Sequence, residues 1–208
     1  AVVAIAQFSE LKTALANYTK RDDLTSRIPE FVSLAEDRIG LDLRVRAMET
    51  SADLTIASGT RTVALPTRFV QQRRIYLDST IKQLDFFESE DFWTRQAQNE
   101  TGRPKMYTIE GENFVFGPEP DAAYTGKLLY YQKFAALSGD TDTNWILTNA
   151  RGLYLYGALI EASPYLEDDP RALTWSALYE DLLDRVHKAD KRDRHPNRLQ
   201  QRTTVTTT

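Results

Sequence analysis

The chain has 208 residues, of which 41% are hydrophobic and 27% charged, enough apolar content to fold around a core. It contains no cysteine, which excludes disulfides, thiolate zinc sites and cysteine nucleophiles and fits a soluble protein of a reducing cytosol. A net charge of −4 argues against a general nucleic-acid binder, and no apolar run approaches the roughly 18 residues of a membrane span.

The opening Ala1-Val2-Val3-Ala4-Ile5-Ala6 is apolar but lacks the basic flank of a signal peptide. It reads as a strand or arm, and a start at Ala fits removal of an initiator Met. Phe8 to Lys20 reads as a first helix, because Phe8, Leu11, Leu15 and Tyr18 recur at helical spacing. Ser9 or Gln7 is expected near its start. Asp22-Asp23 suggests a turn or a short capped helical turn. A longer helix is expected from about Pro29 to Val45, with Pro29 tolerated in the first turn. Ile28, Phe31, Val32, Ala35 and Ile39 form its apolar stripe, and Glu30, Glu36 and Arg38 are expected to face away.

The period then changes from helical to alternating. Leu54 and Ile56, the Ser58-Gly59 turn, and Val63 and Leu65 predict a β-hairpin. Arg74 to Leu77 is a further strand, with Asp78-Ser79 as its turn. A short helix near Ser89 to Gln98 is anchored by Phe92 and Trp93. Met106 to Ile109 and Phe114 to Phe116 predict a second hairpin around Glu110-Gly111-Glu112-Asn113. Gly117 to Asp121 breaks the chain, and Leu128 to Gln132 makes the last strand. One compact antiparallel sheet over residues 52–133 is the expectation.

The helical period returns after Trp145, with Thr148 as the expected N-cap. Leu153 to Ile160 is apolar all round and predicts a central buried helix, in which Gly152 and Gly157 allow close backbone approach and which Pro164 ends. Asp169-Pro170 is a good start for a final helix, lined by Trp175, Leu178, Leu182, Val186 and Ala189 to about Arg192. The expected fold class is therefore α+β. A helical bundle is built from N-terminal helices (1–50) and C-terminal helices (141–192), with an inserted antiparallel β-rich lobe (51–140) and an extended C-terminal arm (193–208).

Charge is unevenly placed. Lys188, Lys191, Arg192, Arg194, Arg198 and Arg202 against Asp190 and Asp193 give the last 21 residues a net +4, leaving −8 on the rest. Such a tail suits docking on a neighbour. The Thr203 to Thr208 run, with Val205, favours extended backbone in a protein groove or an added strand, over nucleic acid or an unstructured terminus.

Signals for chemistry are weak. His187 and His195 are eight apart, not at the i, i+4 spacing of a metal-binding helix face, and read as surface histidines. The carboxylate clusters, Glu88, Glu90 and Asp91; Glu110 and Glu112; Glu167, Asp168 and Asp169; and Glu180, Asp181 and Asp184, read as caps, turns and solvated faces. Tyr124, Tyr130 and Tyr131 suit either a stacking platform or a sheet core or interface. No nucleophile elbow, P-loop or dinucleotide fingerprint is present. No catalytic, cofactor-binding or metal-ligating residue is assigned.

Read in order, many short stretches resemble the head-to-tail adaptor (connector) family of tailed bacteriophages, over about residues 7–190. They are Phe8-Ser9-Glu10-Leu11; Ile28 to Glu36 with Asp42-Leu43-Arg44; Leu65-Pro66; Arg74 to Asp78; and Gly102-Arg103-Pro104. Pro118 to Tyr124, Leu129-Tyr130-Tyr131, and Asn144-Trp145 through Leu153 to Ala158 and on to Pro164-Tyr165-Leu166 complete the set. The resemblance implies a ring, usually of twelve identical subunits, in the virion neck, made in the host cytoplasm. That ring sits below the portal protein, meets tail (nozzle or tail-tube) proteins, and has DNA only passing through its channel, with no membrane and no cofactor. By analogy with related connectors, the arm would dock on the portal or a neighbouring subunit through Arg194, Arg198, Leu199, Arg202 and Val205. The alternative is a tail-associated glycan hydrolase, with two carboxyls across a cleft, or a carbohydrate-binding module, with exposed aromatics in a row.

Overall fold

The computed structural model describes residues 5–77, 83–96, 100–166 and 170–194. The fold is α+β, and the chain divides into two units: Met48–Lys133, which carries the strands, and the described residues on either side of it, which carry the long helices. The turn at Asp78-Ser79, the carboxylates Glu167, Asp168 and Asp169, His195 and the arm beyond it lie outside the described residues.

In the helical unit, α1 spans Phe8–Thr19 and α2 spans Ile28–Asp42, with a 3-10 turn over Asp22–Arg27 between them. Gln7 is the N-cap of α1, and the Glu10 carboxylate accepts the N–H groups of Gln7 at 3.2 Å and Ala6 at 2.7 Å. The next two N–H groups, which a helix cannot satisfy internally, donate instead to the carbonyls of Asp142 (from Phe8) and Asp140 (from Ser9), both at 3.0 Å. Phe8, Leu11 and Leu15 are buried as expected, but Tyr18 is exposed and Thr19 takes the fourth buried place. Both lie one turn beyond Leu15, and only contact with the rest of the fold chooses between them.

The stripe of α2, Ile28, Phe31, Val32, Ala35 and Ile39, is buried throughout. The helix stops three residues before the expected Val45, and the Arg44 guanidinium closes its end by donating to the Gly40 and Leu43 carbonyls. The C-terminal half begins with α4, Trp145–Asn149, and then α5, Arg151–Ala162. Asn144, not Thr148, is the N-cap of α4, its side-chain oxygen accepting the Leu147 N–H at 3.1 Å. Thr148 lies inside that helix and its hydroxyl bonds back to the Asn144 carbonyl.

α5 is the centre of the unit, touching α1, α2, α4 and the last helix α6, Ala172–Arg194. It buries Leu153, Tyr154, Leu155, Ala158, Leu159 and Ala162. Its two glycines admit the neighbours. A Cβ at Gly157 would stand 3.2 Å from the Ala35 Cβ of α2, and one at Gly152 would stand 2.5 Å from the Leu182 Cδ1 of α6. A 3-10 turn over Ser163–Tyr165, containing Pro164, follows α5. On α6, Trp175 and Tyr179 are the buried residues; Leu178 is exposed, while Leu182, Val186 and Ala189 are half-buried.

The β unit departs from a single antiparallel sheet. One sheet has the order β1-β9-β3, from Glu49–Ile56, Tyr124–Gln132 and Phe69–Leu77, all antiparallel. A second has the order β2-β7-β6-β4, from Thr62–Ala64, Asn113–Gly117, Met106–Glu110 and Asp85–Phe86, with β4 parallel to β6. Thr101–Gly102 (β5) and Glu119–Pro120 (β8) add a short parallel pair. The β6–β7 hairpin is present as predicted, with Glu110 opposite Asn113 and Gly111 at φ +58° in its turn. The predicted β1–β2 hairpin is corrected: the Ser58-Gly59 turn forms, with Gly59 at φ +71°, but β1 pairs with β9 and β2 with β7. The alternation of apolar residues told which face of each strand is buried, not which strand it joins.

The two main sheets share one core. Leu54, Ile56, Ile75, Leu77 and Leu128 of the first meet Tyr107, Phe114 and Phe116 of the second. Burying each such side chain stabilises the fold by about 1.5–3 kcal/mol. Helix α3, Ser89–Arg95, adds Phe92, fully buried, whereas the expected second anchor Trp93 is half exposed and acts through its indole N–H.

Candidate interaction surfaces

In the helical unit the polar side chains expected to face solvent instead tie helices together. Glu36 and Arg38 are half-buried, a correction to their outward placement. The Tyr154 hydroxyl of α5 donates to Glu36 Oε1 at 3.0 Å, and the Leu137 N–H donates to the same oxygen at 2.8 Å. Asn144 Nδ2 in turn donates to the Tyr154 hydroxyl at 2.7 Å and to the Ala135 carbonyl at 2.8 Å. Burial raises the Glu36 carboxyl above the usual range, more than these hydrogen bonds lower it. Burial also pushes the Tyr154 phenol up, with the Glu36 charge adding to it. Arg38 grips Glu161 of α5 through Nε at 2.7 Å and Nη2 at 2.5 Å, and the Tyr179 hydroxyl of α6 donates to Asp42 at 3.1 Å. Three polar ties thus fix α2 to α5, α6 and the residue 135–144 segment. Charged groups at spacing three or four from core positions were the sequence signal for them.

Of the predicted arm residues, Arg194 is described; Arg198, Leu199, Arg202 and Val205 lie outside the described residues. Arg194 lies in α6 at the end of the described residues, and its Nε donates to Asp190 Oδ2 at 2.6 Å, one turn back. Asp190 also accepts the Arg46 N–H at 2.6 Å. Its carboxyl is held below the usual range: burial pushes it up, but the bonds from Arg194 and Arg46 outweigh that. Arg194 is therefore engaged with its own fold. Beside this pair lies an open concavity of about 410 Å³, lined by Val45, Ala47, Trp145, Val186 and Ala189 together with Arg46, Asn149, Asp190 and Asp193.

Several of the other candidates make contacts within the fold. Glu110 accepts from the Ser89 hydroxyl at 2.5 Å and the Trp93 indole at 2.6 Å, and these donors hold its carboxyl low. Glu112 is exposed in the same hairpin turn. Asp181 and Asp184 form surface ion pairs with Arg185 and Lys188, each one turn along α6. The three tyrosines do not form a row. Tyr130 is buried and stacked on Phe69, Tyr124 donates to Asp121 at 2.6 Å, and Tyr131 lies under the Arg73 guanidinium. His187 is half-buried on α6. Among the described residues, no group of three or more His, Asp or Glu is placed to hold a metal ion, and no helix is long and apolar enough to cross a membrane.

Leu34 and Leu41 stand on the outer side of α2 and Leu173 on the outer side of α6, exposed at 45%, 77% and 82%. No curated protein matches the chain. The model of the family described as SU10 adaptor protein matches residues 6–203, through the helical unit and the β unit alike. With nearly the whole sequence matched, the chain belongs to the SU10 adaptor protein family and is a phage adaptor protein.

Proposed function

We propose that this adaptor forms a ring of identical subunits in the virion neck, joining the portal protein to tail proteins and extending the DNA channel, and that it works through its interfaces and not as an enzyme. The family match over residues 6–203 carries this reading. Three features support it. The helical unit is tied by Arg38–Glu161, Glu36–Tyr154 and Tyr179–Asp42, the internal rigidity a load-bearing joint requires. Apolar side chains on the outer sides of α2 and α6 are available to neighbours. The net −8 outside the basic tail disfavours a grip on phosphate, so DNA slides past during packaging and ejection. The arm, from Arg194 through Arg198, Leu199, Arg202 and Val205, docks on the portal or a neighbouring subunit, as its composition and the analogy with related connectors suggest.

The test is assembly. Sedimentation of the purified chain with and without portal should show a poor self-assembler alone and a closed ring on the portal. A stable two-fold dimer burying the long helices would sink the ring. Deleting the residues after His195 should leave the melting temperature nearly unchanged and weaken portal attachment, giving heads that leak DNA. Normal assembly and infectivity of that truncation would rule out the docking role.

A further inference from the structure

The sheet edges of the β unit are unequally protected. Edge strands normally avoid strange partners by being short, bulged, bridged or marked with Pro or Lys. Among the described strands, β2 has three residues and β4 two. β3 carries two register shifts, and its outer side is bridged where Tyr76 pairs with Gln83 and Leu84 donates to the Ile75 carbonyl. β1 has none of these devices. It runs eight residues, Glu49–Ile56, in unbroken register with β9, contains no Pro, Gly or Lys, and among the described residues pairs on one side only. Its faces are sharply divided: Ala52, Leu54 and Ile56 turn toward the core, while Ser51, Asp53 and Thr55 are exposed. Asp53 stands opposite Lys127 in the register, yet no ion pair engages it among the described residues.

The sequence after Arg194 has the complementary pattern. At strand period, Leu199, Thr203, Val205 and Thr207 fall on one side, and Arg198, Arg202, Thr204 and Thr206 on the other. The two apolar residues therefore share a side, and the two arginines share the opposite one. Threonine and valine are strong strand formers, and the fourteen residues from His195 to Thr208 exceed the eight that β1 can pair.

We infer that the open edge of β1 in one subunit receives the 199–207 segment of a second copy as an added strand. Leu199 and Val205 then continue the apolar side of Ala52, Leu54 and Ile56. Arg202 comes to the side of Asp53, whose charge is opposite and within reach either directly across or two residues along. This rests on the arm docking proposed above and names its receiving surface: a neighbouring adaptor, not the portal. A head-to-tail exchange of this kind propagates around a ring, because each subunit gives one strand and receives one.

The absence of cysteine makes the test clean. Full-length single-cysteine variants are co-assembled in particles, one carrying Thr55→Cys or Ser51→Cys, the other Thr204→Cys or Thr206→Cys, and oxidised. Disulfide-linked dimers are expected from these pairs and not from Thr203→Cys or Thr207→Cys, which would face the opposite side. No dimer from any pair, or equal yield from both sets, overturns the inference. If the cysteines fail to cross-link while deletion after His195 still detaches the ring from the portal, the arm docks elsewhere. That result sinks the β1 assignment and leaves the adaptor reading standing.

Discussion

The hydroxyl of Tyr154 sits between two side chains, receiving from Asn144 at 2.7 Å and donating to Glu36 at 3.0 Å, so one residue of α5 links α2 to the cap of α4. Tyr154 is 1% exposed, and water cannot replace what a mutation removes. Tyr154→Phe should therefore destabilise the protein by about 1–3 kcal/mol in urea unfolding, the range for leaving a buried hydrogen-bond partner unsatisfied. Asn144→Ala should cost about 1 kcal/mol for the lost cap alone. The double variant should cost less than the sum, because the two changes empty the same network.

Glu36 gives a pH signature of known sign. Its folded-state carboxyl is raised, chiefly by burial, so the unfolded chain releases the proton first as pH rises. Ionisation of Glu36 therefore disfavours the folded state increasingly as pH climbs through the carboxylate range, a penalty fully present above the folded value. Glu36→Gln keeps an oxygen for Tyr154 and Leu137 without the charge. The stability of wild type relative to Glu36→Gln should fall as pH rises through and above the ordinary carboxylate value. A difference that stays flat or rises over that window would contradict the assignment.

Glu110 should behave in the opposite sense. Its carboxyl is held low by Ser89 and Trp93, so its contribution is present above the unfolded value and lost as pH falls through the folded one. Glu110→Gln should thus narrow the gap between neutral and acid stability slightly, because the site is close to solvent. Phage carrying Glu110→Gln or Glu112→Gln should remain infective, and purified wild-type protein should leave cell-wall suspensions turbid. Clearing that one of these changes abolishes would establish a hydrolase.

The two glycines of α5 should respond differently to added bulk. At Gly157 the obstacle is the Ala35 Cβ, fixed to the backbone of α2, so Gly157→Val should cost about 1–3 kcal/mol by forcing the helices apart. At Gly152 the obstacle is the far end of the half-buried Leu182 side chain, which can turn aside. Gly152→Ala should be near neutral, since Ala gains about 1 kcal/mol of helix propensity against that adjustment. Thermal melts of the two variants measure the contrast.

Much of this molecule was legible in the chain because its causes are local. The stripe Ile28, Phe31, Val32, Ala35 and Ile39, the all-round apolar run of Leu153 to Ile160 and the Gly111 turn each follow from side-chain periodicity or from a backbone angle that glycine adopts freely. The ordered series of short stretches was enough to point to the adaptor family. Tertiary structure alone decided the rest, because those features depend on residues far apart in sequence. β1 finds β9 some seventy residues away instead of its neighbour β2, since period two fixes a strand's faces and leaves its partner open. Asn144 displaced Thr148 as cap because α4 starts where Ala135 and Tyr154 can hold the Asn144 amide. Glu36 and Arg38 read as solvated charges until α5 supplied Tyr154 and Glu161 opposite them. A charged residue next to a core stripe is outward-facing by default, and only the helix packed against it determines whether a partner is there to draw it in.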